Sequence, residues 1–302
     1  MKKILILHTG GTIAMRENLL TGGVSPDVVN PLLDADHIMP KHMLILKNRI
    51  NEAYHLGFDG VVITHGTDTL EETAFFLDTT IGDKLPIVLT GAMRSSNELG
   101  SDGLYNFESA IRVASCKEAN GKGVLVVMND EIHSARYVTK THTTNVATFR
   151  TPTLGPIGLV TKHRILFMQE LLETTRLDIT SVNGTIPIVK AYAGMQGDLL
   201  EAIAHTKVDG LVIEALGAGN LPPQAVTALK KLLVQKIPVV LVSRCFNGIA
   251  EPVYDYEGGG KELANMGIIF CNSINSQKAR IKLLIALNHG LKDQSLISFI
   301  TQ

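Results

Sequence analysis

The stretch Val61 to Thr73, VVITHGTDTLEET, begins as a strand and ends as a helix. Its first residues are apolar on both faces, which is typical of a strand buried inside a parallel sheet. The turn that follows, HGTDT, contains an imidazole, two hydroxyls and a carboxylate. Glycine and asparagine suffice to make a turn. The stretch therefore raises the question of what these polar side chains do.

Helix capping explains part of this turn. Thr69 followed by Glu72 fits a capping box, and Asp68 favours the positive end of a helix. Capping leaves Thr67 and His65 unexplained. A hydroxyl beside a carboxylate is a poor nucleophile unless a base activates it. A candidate base is the lysine at position 140, in the polar segment ARYVTKTHTTNVATF, although lysines there are usually solvated surface groups.

Similar apolar runs recur along the chain, and each is followed by small or polar residues and then by a helical pattern. The runs are KILILHTGG, GVVITHGT, PIVLTGAM, GVLVVMND, GLVIEALGAGN, PVVLVSRCFNG and GIIFCNS, and the helical patterns include 69–78, 103–116, 224–234 and 276–288. This alternation predicts an α/β fold with doubly wound parallel sheets. Ligands bind at the carboxyl ends of such strands, so we expect the functional groups to gather there.

The length of the chain and its alternation of strands and helices predict two domains. A chain of 302 residues is too long for one ordinary core, and the strand–helix rhythm lapses between Leu171 and Pro187. We expect a larger N-terminal α/β domain over 1–175 that holds both threonine motifs, a linker over 176–188, and a smaller C-terminal α/β domain over 189–302.

Composition argues against several classes of protein. With 45% hydrophobic and 19% charged residues, the chain is an ordinary globular protein. Its net charge of −1 and its lack of Lys/Arg-rich runs argue against nucleic acid as a partner. No apolar stretch is long enough for a membrane span or a signal-peptide core. Scattered cysteines and histidines without metal-ligand spacing predict a cytoplasmic chain with no metal site.

A second threonine turn, LHTGGTIAM, follows the first strand. Gly10 and Gly11 allow a tight turn and a close approach of a ligand to the backbone. The turn lacks the Gly-Lys-Ser/Thr of a phosphate-binding loop, and GAGNLP has Pro222 where a dinucleotide fingerprint needs its third glycine. Nucleotide binding is thus a distant alternative. Thr12 alone would more often be a capping hydroxyl than a nucleophile.

Five segments together resemble the bacterial-type L-asparaginases, the threonine amidohydrolases of the asparaginase/glutaminase family. They are HTGGTIAM, THGTDTLEETAFFLD, LTGAMRSS, MNDEIHSARYVTKTHTTNVATF and LGAGNLPP. The resemblance covers nearly the whole chain, and both threonine motifs fall at strand-to-helix turns. It implies hydrolysis of L-asparagine to L-aspartate and ammonia through an acyl-threonine intermediate, without a cofactor.

The resemblance also implies roles for the matching residues. Thr12 corresponds to the primary nucleophile, and Asp68 to the acid that binds the substrate's α-ammonium group. Thr67 and Lys140 correspond to the second threonine and its lysine, in a relay of hydroxyl, amine and carboxylate. To accept a threonine proton, the lysine must be kept partly neutral by burial or by a neighbouring cation.

Backbone and intersubunit groups complete the implied site. N–H groups at Gly11, Gly66 and Ala92 would bind the oxyanion. Asn220 matches a residue that the neighbouring subunit contributes in this family, so the resemblance implies a homotetramer built from tight dimers, or a homodimer, with active sites between subunits. Glu257 is a weak candidate for an intersubunit carboxylate, and an ordinary loop carboxylate is the commoner case.

The chain departs from the family pattern in two places. The lid loop after the first motif, MRENLLTGGVSPD, has no tyrosine, and Thr21 or Leu20 takes the comparable place. The segment that holds the substrate's α-carboxylate is missing at Pro40–Lys41, or the printed sequence lacks residues there. We favour the second explanation because the surrounding motifs keep the pattern. We expect a chain break at this junction, or a disordered lid over an open site.

Two alternatives to an asparaginase remain open. One is an enzyme that prefers glutamine or a larger amide, since one methylene is worth only about 1–3 kcal/mol of discrimination. The other is a catalytically impaired regulator that binds amides or aspartate. Only the missing carboxylate segment supports the regulator, and the presence of both threonines with Asp68 and Lys140 argues against it.

Overall fold

The computed structural model describes residues 2–18, 20–21, 23–26, 38–81 and 84–302. The chain divides into two compact units, Met1–Arg176 and Leu177–Gln302. Each unit has helices packed around its own sheet, with three of its six strand pairings parallel in the first unit and all three parallel in the second, which confirms the predicted α/β fold class. None of the helices in the described ranges is long and apolar enough to cross a membrane.

The first unit contains most of the strands. They are β1 Ile4–His8, β2 Met15–Glu17, β3 Val24–Pro26, β4 Gly60–Thr64, β5 Ile87–Thr90, β6 Val124–Met128, β7 Glu131–Ser134, β8 Thr139–Lys140, β9 Phe149–Arg150, β10 Gly158–Val160 and β11 Ile165–Phe167. Its helices are α1 Pro40–His55, α2 Leu70–Thr80 and α3 Gly103–Ala114, with short 3-10 turns at Thr12–Ala14 and Lys117–Ala119.

Seven of these strands form one sheet in the order β1-β4-β5-β6-β7-β10-β11. Strands β1, β4, β5 and β6 run parallel and are the four apolar runs predicted for this half of the chain. Strands β7, β10 and β11 extend the sheet in antiparallel fashion. The remaining strands pair as β2 with β3 and β8 with β9.

The hydrophobic core of this unit holds the ends of the central strands in place. Val62, Val88 and Val127 are fully buried in one cluster with Ala110 and Val113 of α3. All five residues of β4 are buried, so both faces of the strand are covered. Burying a side chain of this size contributes roughly 1.5–3 kcal/mol. This packing holds the carboxyl ends of β1, β4 and β5, and therefore the turns that follow them, in a rigid frame.

The second unit is simpler. Its strands are β12 Ile188–Lys190, β13 Leu211–Ala215, β14 Val239–Ser243 and β15 Ile269–Phe270, and its helices are α4 Asp198–Ala204, α5 Pro223–Val234, α6 Gly260–Asn265, α7 Ser276–His289 and α8 Asp293–Thr301. The strands form one parallel sheet in the order β12-β13-β14-β15. Helix α7 begins after Asn275, whose side chain caps the N–H of Lys278, and ends where Gly290 adopts a φ of 88°.

Most of the segment predicted as a linker belongs to this second unit. The Asn288 side chain accepts hydrogen bonds from the Ser181 hydroxyl at 2.8 Å and the Asn183 N–H at 2.9 Å. The Asp209 carboxylate accepts the Thr185 N–H at 2.8 Å. From residue 177 onward, the segment is therefore bound to the unit that follows it.

Helix α1 begins at Pro40 and continues through Lys41 without interruption. Proline suits this position because the first turn of a helix leaves its N–H groups without intrahelical partners. The N–H of Met39 donates to His42 Nδ1 at 3.1 Å and closes the start of the helix. The chain break expected at Pro40–Lys41 is therefore absent. The other half of that expectation, a disordered lid over residues 16–27 with an open site, stays a prediction, because residues 19, 22 and 27–37 lie outside the described residues.

Candidate active site

The two threonine turns lie against each other in the first unit. Strands β1 and β4 are parallel neighbours with His8 opposite Thr64, so the turns that follow them emerge side by side. Gly11 adopts φ 85° and ψ 173° just before the Thr12 turn. A Cβ atom on Gly11 would overlap the backbone of Gly66 in the second turn. The glycine thus permits a backbone contact that brings both threonine motifs together.

The second turn contains a row of three interacting side chains. Lys140 Nζ donates to Thr67 Oγ1 at 3.0 Å and to Asp68 Oδ1 at 2.6 Å. The backbone N–H of Lys140 donates to Glu71 Oε2 at 2.8 Å, so the lysine is held at its backbone as well as its tip. Thr67 is buried, whereas the Asp68 side chain is 92% exposed. The row therefore runs from a buried hydroxyl to a carboxylate that is open to a ligand.

The surroundings of the lysine differ from the sequence expectation. The Lys140 side chain is 19% exposed, and its charged contact is the Asp68 carboxylate rather than a cation. Because Nζ donates to both side chains, it can take the Thr67 proton only as it passes one of its own protons to Asp68. The neighbouring cation expected from the sequence is thus replaced by a carboxylate among the contacts of Lys140.

His65 is fully buried beneath the second turn. A carbonyl oxygen can only accept, so His65 Nδ1–H donates to Gly66 O at 2.7 Å, and Nε2 accepts the Thr73 hydroxyl at 2.8 Å. Burial lowers the pKa of His65 to about 4, so the ring is neutral at neutral pH. Through these two hydrogen bonds, His65 fixes the orientation of the peptide that leads into Thr67. This contact explains the presence of His65, which helix capping did not.

This burial predicts a specific loss of stability in acid. The pKa of His65 is about 4 in the folded chain and 6.5 in the unfolded chain. As the pH falls from 6.5 to 4, only the unfolded state takes up this proton, so the free energy of unfolding should drop by about 3 kcal/mol. Above pH 6.5 the group contributes no pH dependence. Urea unfolding of the wild type and of His65→Gln at pH 7, 5.5 and 4.5 measures the effect. The variant should show the shallower decline, and parallel declines would contradict the assignment.

The capping box predicted for Thr69 is wrong. Thr69 does occupy the N-cap position of α2, but its side chain makes no capping hydrogen bond. Its φ of −120° and ψ of 11° differ from the extended backbone from which a cap hydroxyl reaches the first turn. The Thr69 carbonyl instead accepts the N–H groups of Glu72 and Thr73.

The loop after β5 carries Ala92, which is fully buried. The Asp102 carboxylate accepts the N–H groups of Met93 at 3.1 Å and Arg94 at 3.0 Å, and Asn106 Nδ2 donates to Asp102 at 3.0 Å. Sequence reasoning missed both Asp102 and Asn106. The available signal was an aspartate directly before a predicted helix start.

The same loop and the Thr12 turn both pack on the start of α3. A Cβ atom on Gly103 would lie 3.3 Å from Ala92 Cβ and 3.3 Å from Ile13 Cγ1. The peptides around Ala92 and Thr12 are therefore held by one common support. This arrangement gives the backbone N–H groups near both residues a fixed position, as an oxyanion site requires.

A cavity of about 330 Å³ lies beside these turns. Its lining includes Ile13, Ala14, Arg94, Ser96, Leu104 and Phe107. None of the four residues with predicted chemistry lines it, so we place the candidate site at the threonine turns, where the reactive groups lie. Within the described ranges, no group of three His, Cys, Asp or Glu side chains could hold a metal ion.

The other predicted residues lie elsewhere. Asn220 is in the second unit, after β13, where its Oδ1 accepts the Gly260 N–H at 3.0 Å. Glu257 is an exposed residue of the same unit. Thr21 lies in the exposed tip between β2 and β3, and its Oγ1 accepts the Gly23 N–H at 3.2 Å. The structure thus gathers Gly11, Thr12, Gly66, Thr67, Asp68, Ala92 and Lys140 in the first unit.

Comparison with known families gives two matches along the chain. Residues 28–173 match the family "Asparaginase, N-terminal", and residues 185–298 match "Glutaminase/Asparaginase C-terminal domain". The first match begins after the Thr12 turn.

Individual relatives align over nearly the whole chain. A probable L-asparaginase of Deinococcus radiodurans is 38% identical and covers 100% of this chain and 98% of its own length. The L-asparaginase of Bacillus licheniformis is 34% identical, and the alignment covers 97% of this chain and 98% of that protein. The alignment with the Deinococcus protein spans 322 positions, more than the 302 residues here, so that relative carries residues without a counterpart in this chain.

A solved structure shares the fold. The probable cytoplasmic L-asparaginase from Campylobacter jejuni has a TM-score of 0.90 and 31% identity, with 99% of each chain covered. Fold and relatives together define an amidohydrolase. The chain belongs to the asparaginase family.

Proposed function

We propose that the chain hydrolyses L-asparagine to L-aspartate and ammonia, with Thr12 as the nucleophile. The observation that carries the proposal is the row Thr67–Lys140–Asp68, in which one amine contacts a hydroxyl at 3.0 Å and a carboxylate at 2.6 Å. The Gly11–Gly66 contact sets the Thr12 turn against this row. Relatives that carry the name L-asparaginase support asparagine as the substrate.

The proposed reaction has two halves. Thr12 Oγ attacks the amide carbon of asparagine, and N–H groups near Gly11, Gly66 and Ala92 stabilise the negative charge on the carbonyl oxygen. The tetrahedral intermediate then expels ammonia, which takes up the proton lost by Thr12, and leaves an acyl ester on that residue.

A water molecule then attacks the ester and releases aspartate. One proton of this water returns to Thr12 Oγ as the ester bond breaks. The relay of Thr67, Lys140 and Asp68 supplies a path for the proton in both halves, because each member already shares a hydrogen bond with the next. Beyond this relay, the exposed Asp68 carboxylate attracts the α-ammonium group of the substrate.

The assignment of Asp68 predicts a separation between neighbouring variants. Asp68→Asn removes the charge that binds the substrate's ammonium group, so KM for asparagine should rise at least about tenfold. Thr69→Ala removes a hydroxyl that makes no capping bond, so KM should stay unchanged and stability should change by no more than about 0.5 kcal/mol. Steady-state kinetics and urea unfolding measure both. An equal rise in KM for the two variants would contradict the assignment.

The activity itself is tested by ammonia release. The purified chain should release ammonia from L-asparagine, with a lower kcat/KM for L-glutamine. Because one methylene is worth only about 1–3 kcal/mol, the ratio should lie between about 10 and 200. A higher kcat/KM for glutamine than for asparagine would contradict the proposed substrate and support the alternative of an enzyme that prefers glutamine. Aspartate binding without any ammonia release would support a regulator instead.

Assembly and location are part of the same proposal. We propose a homotetramer of tight dimers in the cytoplasm, in which Asn220 of a neighbouring subunit contributes to the site. Asn220 accepts a hydrogen bond through Oδ1, and its amide nitrogen donates to none of the described residues, so the nitrogen is available to a ligand. The Campylobacter protein is named a probable cytoplasmic L-asparaginase, although a relative from Haemophilus influenzae is named a probable periplasmic one.

A further inference from the structure

One buried side-chain amide on α3 contacts three separate positions of the first unit. Asn106 is 1% exposed. Its Nδ2 donates to Gly91 O at 3.1 Å and to Asp102 Oδ2 at 3.0 Å, and its Oδ1 accepts the N–H of Asn129 at 3.0 Å. A carboxamide offers two donor hydrogens and one acceptor oxygen, so both hydrogens and the oxygen of Asn106 have partners. Because a carbonyl can only accept and an N–H can only donate, the contacts with Gly91 and Asn129 fix which way the amide points.

The contact with Gly91 O bears on the candidate site because that oxygen shares a peptide unit with the N–H of Ala92. None of the peptide bonds over the described residues is cis. In a planar trans peptide the C=O and the N–H point in opposite directions. Asn106 therefore holds this peptide unit from its oxygen side and directs the N–H of Ala92 the other way.

The N–H of Ala92 has no partner in the part of the chain that the structure describes. Ala92 is fully buried, and its N–H donates to none of the described residues. Buried backbone N–H groups are rarely left without a partner in folded proteins. This donor is therefore available to the oxygen of a bound molecule.

The same peptide unit lies against the second threonine turn. A Cβ atom on Gly91 would lie 2.7 Å from His65 O and 3.2 Å from Thr67 Cγ2. The lack of a side chain at Gly91 thus allows the peptide to approach the turn that carries the relay. The N–H that Asn106 directs accordingly belongs to a peptide in contact with the reactive side chains.

We propose that Asn106 is a positioning residue that aims the N–H of Ala92 at the oxygen of the scissile amide. This inference rests on the proposed function, because it assigns the N–H to the oxyanion that forms when Thr12 attacks. The oxygen gains its negative charge only as the tetrahedral intermediate forms. A fixed donor therefore lowers the barrier more than it tightens the binding of the substrate. Asn106 acts through the peptide rather than on the substrate.

Two variants remove the donors of Asn106 in different ways. Asn106→Asp keeps the shape and the acceptor for Asn129, but it presents an oxygen to Gly91 O and to the Asp102 carboxylate. Asn106→Ala leaves a polar space in which water can satisfy Gly91 O and the N–H of Asn129, so this variant should fold. Such a water molecule does not fix the direction of the peptide as a packed side chain does.

The effect should fall on kcat rather than on KM. Complete loss of one oxyanion donor costs about 10²–10³ in kcat, so a donor that is present but poorly aimed should cost at least about tenfold. We expect this loss for asparagine in both Asn106 variants, with KM within about twofold of the wild type. Steady-state ammonia release measures both constants, and circular dichroism checks that the variants are folded.

Tyr105→Phe is the matched control. Tyr105 is the preceding residue of α3, and its hydroxyl donates to Asp130 Oδ1 at 2.8 Å. Like Asn106, it connects α3 to the turn between β6 and β7, but its hydroxyl bond leaves the Gly91–Ala92 peptide untouched. The control should keep the wild-type kcat and KM.

Hydrogen–deuterium exchange provides a readout that does not depend on activity. Asn106 donates to the Asp102 carboxylate, which accepts the next two N–H groups of the loop after Ala92. Amides over residues 91–94 should therefore exchange at least about tenfold faster in both Asn106 variants, whereas the buried strand β6 should keep the wild-type rate. In Tyr105→Phe, residues 91–94 should exchange as in the wild type.

The results decide for or against the proposal. A folded Asn106 variant with the wild-type kcat would overturn it, and so would a loss that appears only in KM. An equal fall of kcat in Tyr105→Phe would trace the effect to the attachment of the turn instead. Faster exchange in β6 together with residues 91–94 would mean general loosening of the unit, which also refutes the proposal. If the wild type releases no ammonia from asparagine, the proposed function fails, while the exchange comparison still decides whether Asn106 holds this peptide.

Discussion

Replacing Thr12 or Thr67 by alanine should lower kcat for asparagine by at least about 100-fold, because each change removes a hydroxyl on which bond making or proton transfer depends. Thr12 would lose the oxygen that forms the ester. Thr67 would lose the hydroxyl that Lys140 contacts at 3.0 Å, so the relay would end at the amine. Folding should be little changed, since neither substitution opens a large cavity. Steady-state ammonia release measures the rate, and circular dichroism checks the fold.

A matched control comes from the segment that follows the lysine. Thr143 is an exposed threonine in the same unit, and Thr143→Ala should retain the wild-type kcat. A variant of Thr12 or Thr67 that is folded and still turns over at the wild-type rate would remove that threonine from the mechanism.

Gly11→Ala should destabilise the first unit by about 2–6 kcal/mol and abolish activity in the molecules that remain folded. Its φ of 85° with ψ of 173° is a region that essentially only glycine occupies, which costs about 1–3 kcal/mol for another residue. The added Cβ would also overlap the Gly66 backbone. Overpacking of this kind costs about 1–3 kcal/mol, and backbone cannot move aside as a flexible side chain can.

Gly10→Ala provides the comparison for this prediction. Gly10 also has a positive φ, 92°, but a Cβ atom there would meet nothing within 4 Å. The Gly10 variant should therefore carry backbone strain alone and should keep most of its activity. Urea unfolding and ammonia release of both variants separate strain from the contact between the turns. Equal losses of activity in the two variants would show that the Gly11–Gly66 contact has no special role.

Much of the fold could be predicted from the sequence because the parallel strands are short apolar runs. The runs at β4, β5 and β6 are buried on both faces, so their pattern does not depend on their partners, and the edge strand β1 has the same apolar sequence although it is only partly buried. Strands β7, β10 and β11 were not predicted. They are short and contain polar residues such as Glu131, and their strand character comes from antiparallel pairing with neighbours rather than from a local pattern.

The site was predictable mainly through the family resemblance. Spacing alone could not connect Lys140 with Thr67, because 73 positions separate them and only the fold brings them to 3.0 Å. The prediction of a capping box at Thr69 was wrong because a capping motif is defined by residue type. The hydrogen bond itself depends on the backbone angles of the residue. The hydrogen bonds from Asp102 to the loop after β5 were not predicted for a related reason. Their partners are backbone N–H groups, which every sequence contains.

The contact between β1 and β4 also determines when the candidate site can form during folding. His8 and Thr64 are 56 positions apart, so a long loop must close before the two glycine turns can touch, and loop closure costs conformational entropy. Helices α2 and α3 depend on local contacts and can form earlier. In a refolding experiment, far-ultraviolet circular dichroism would therefore recover before ammonia release, and the part of the lag that does not depend on protein concentration would report the docking of the first strand onto the sheet.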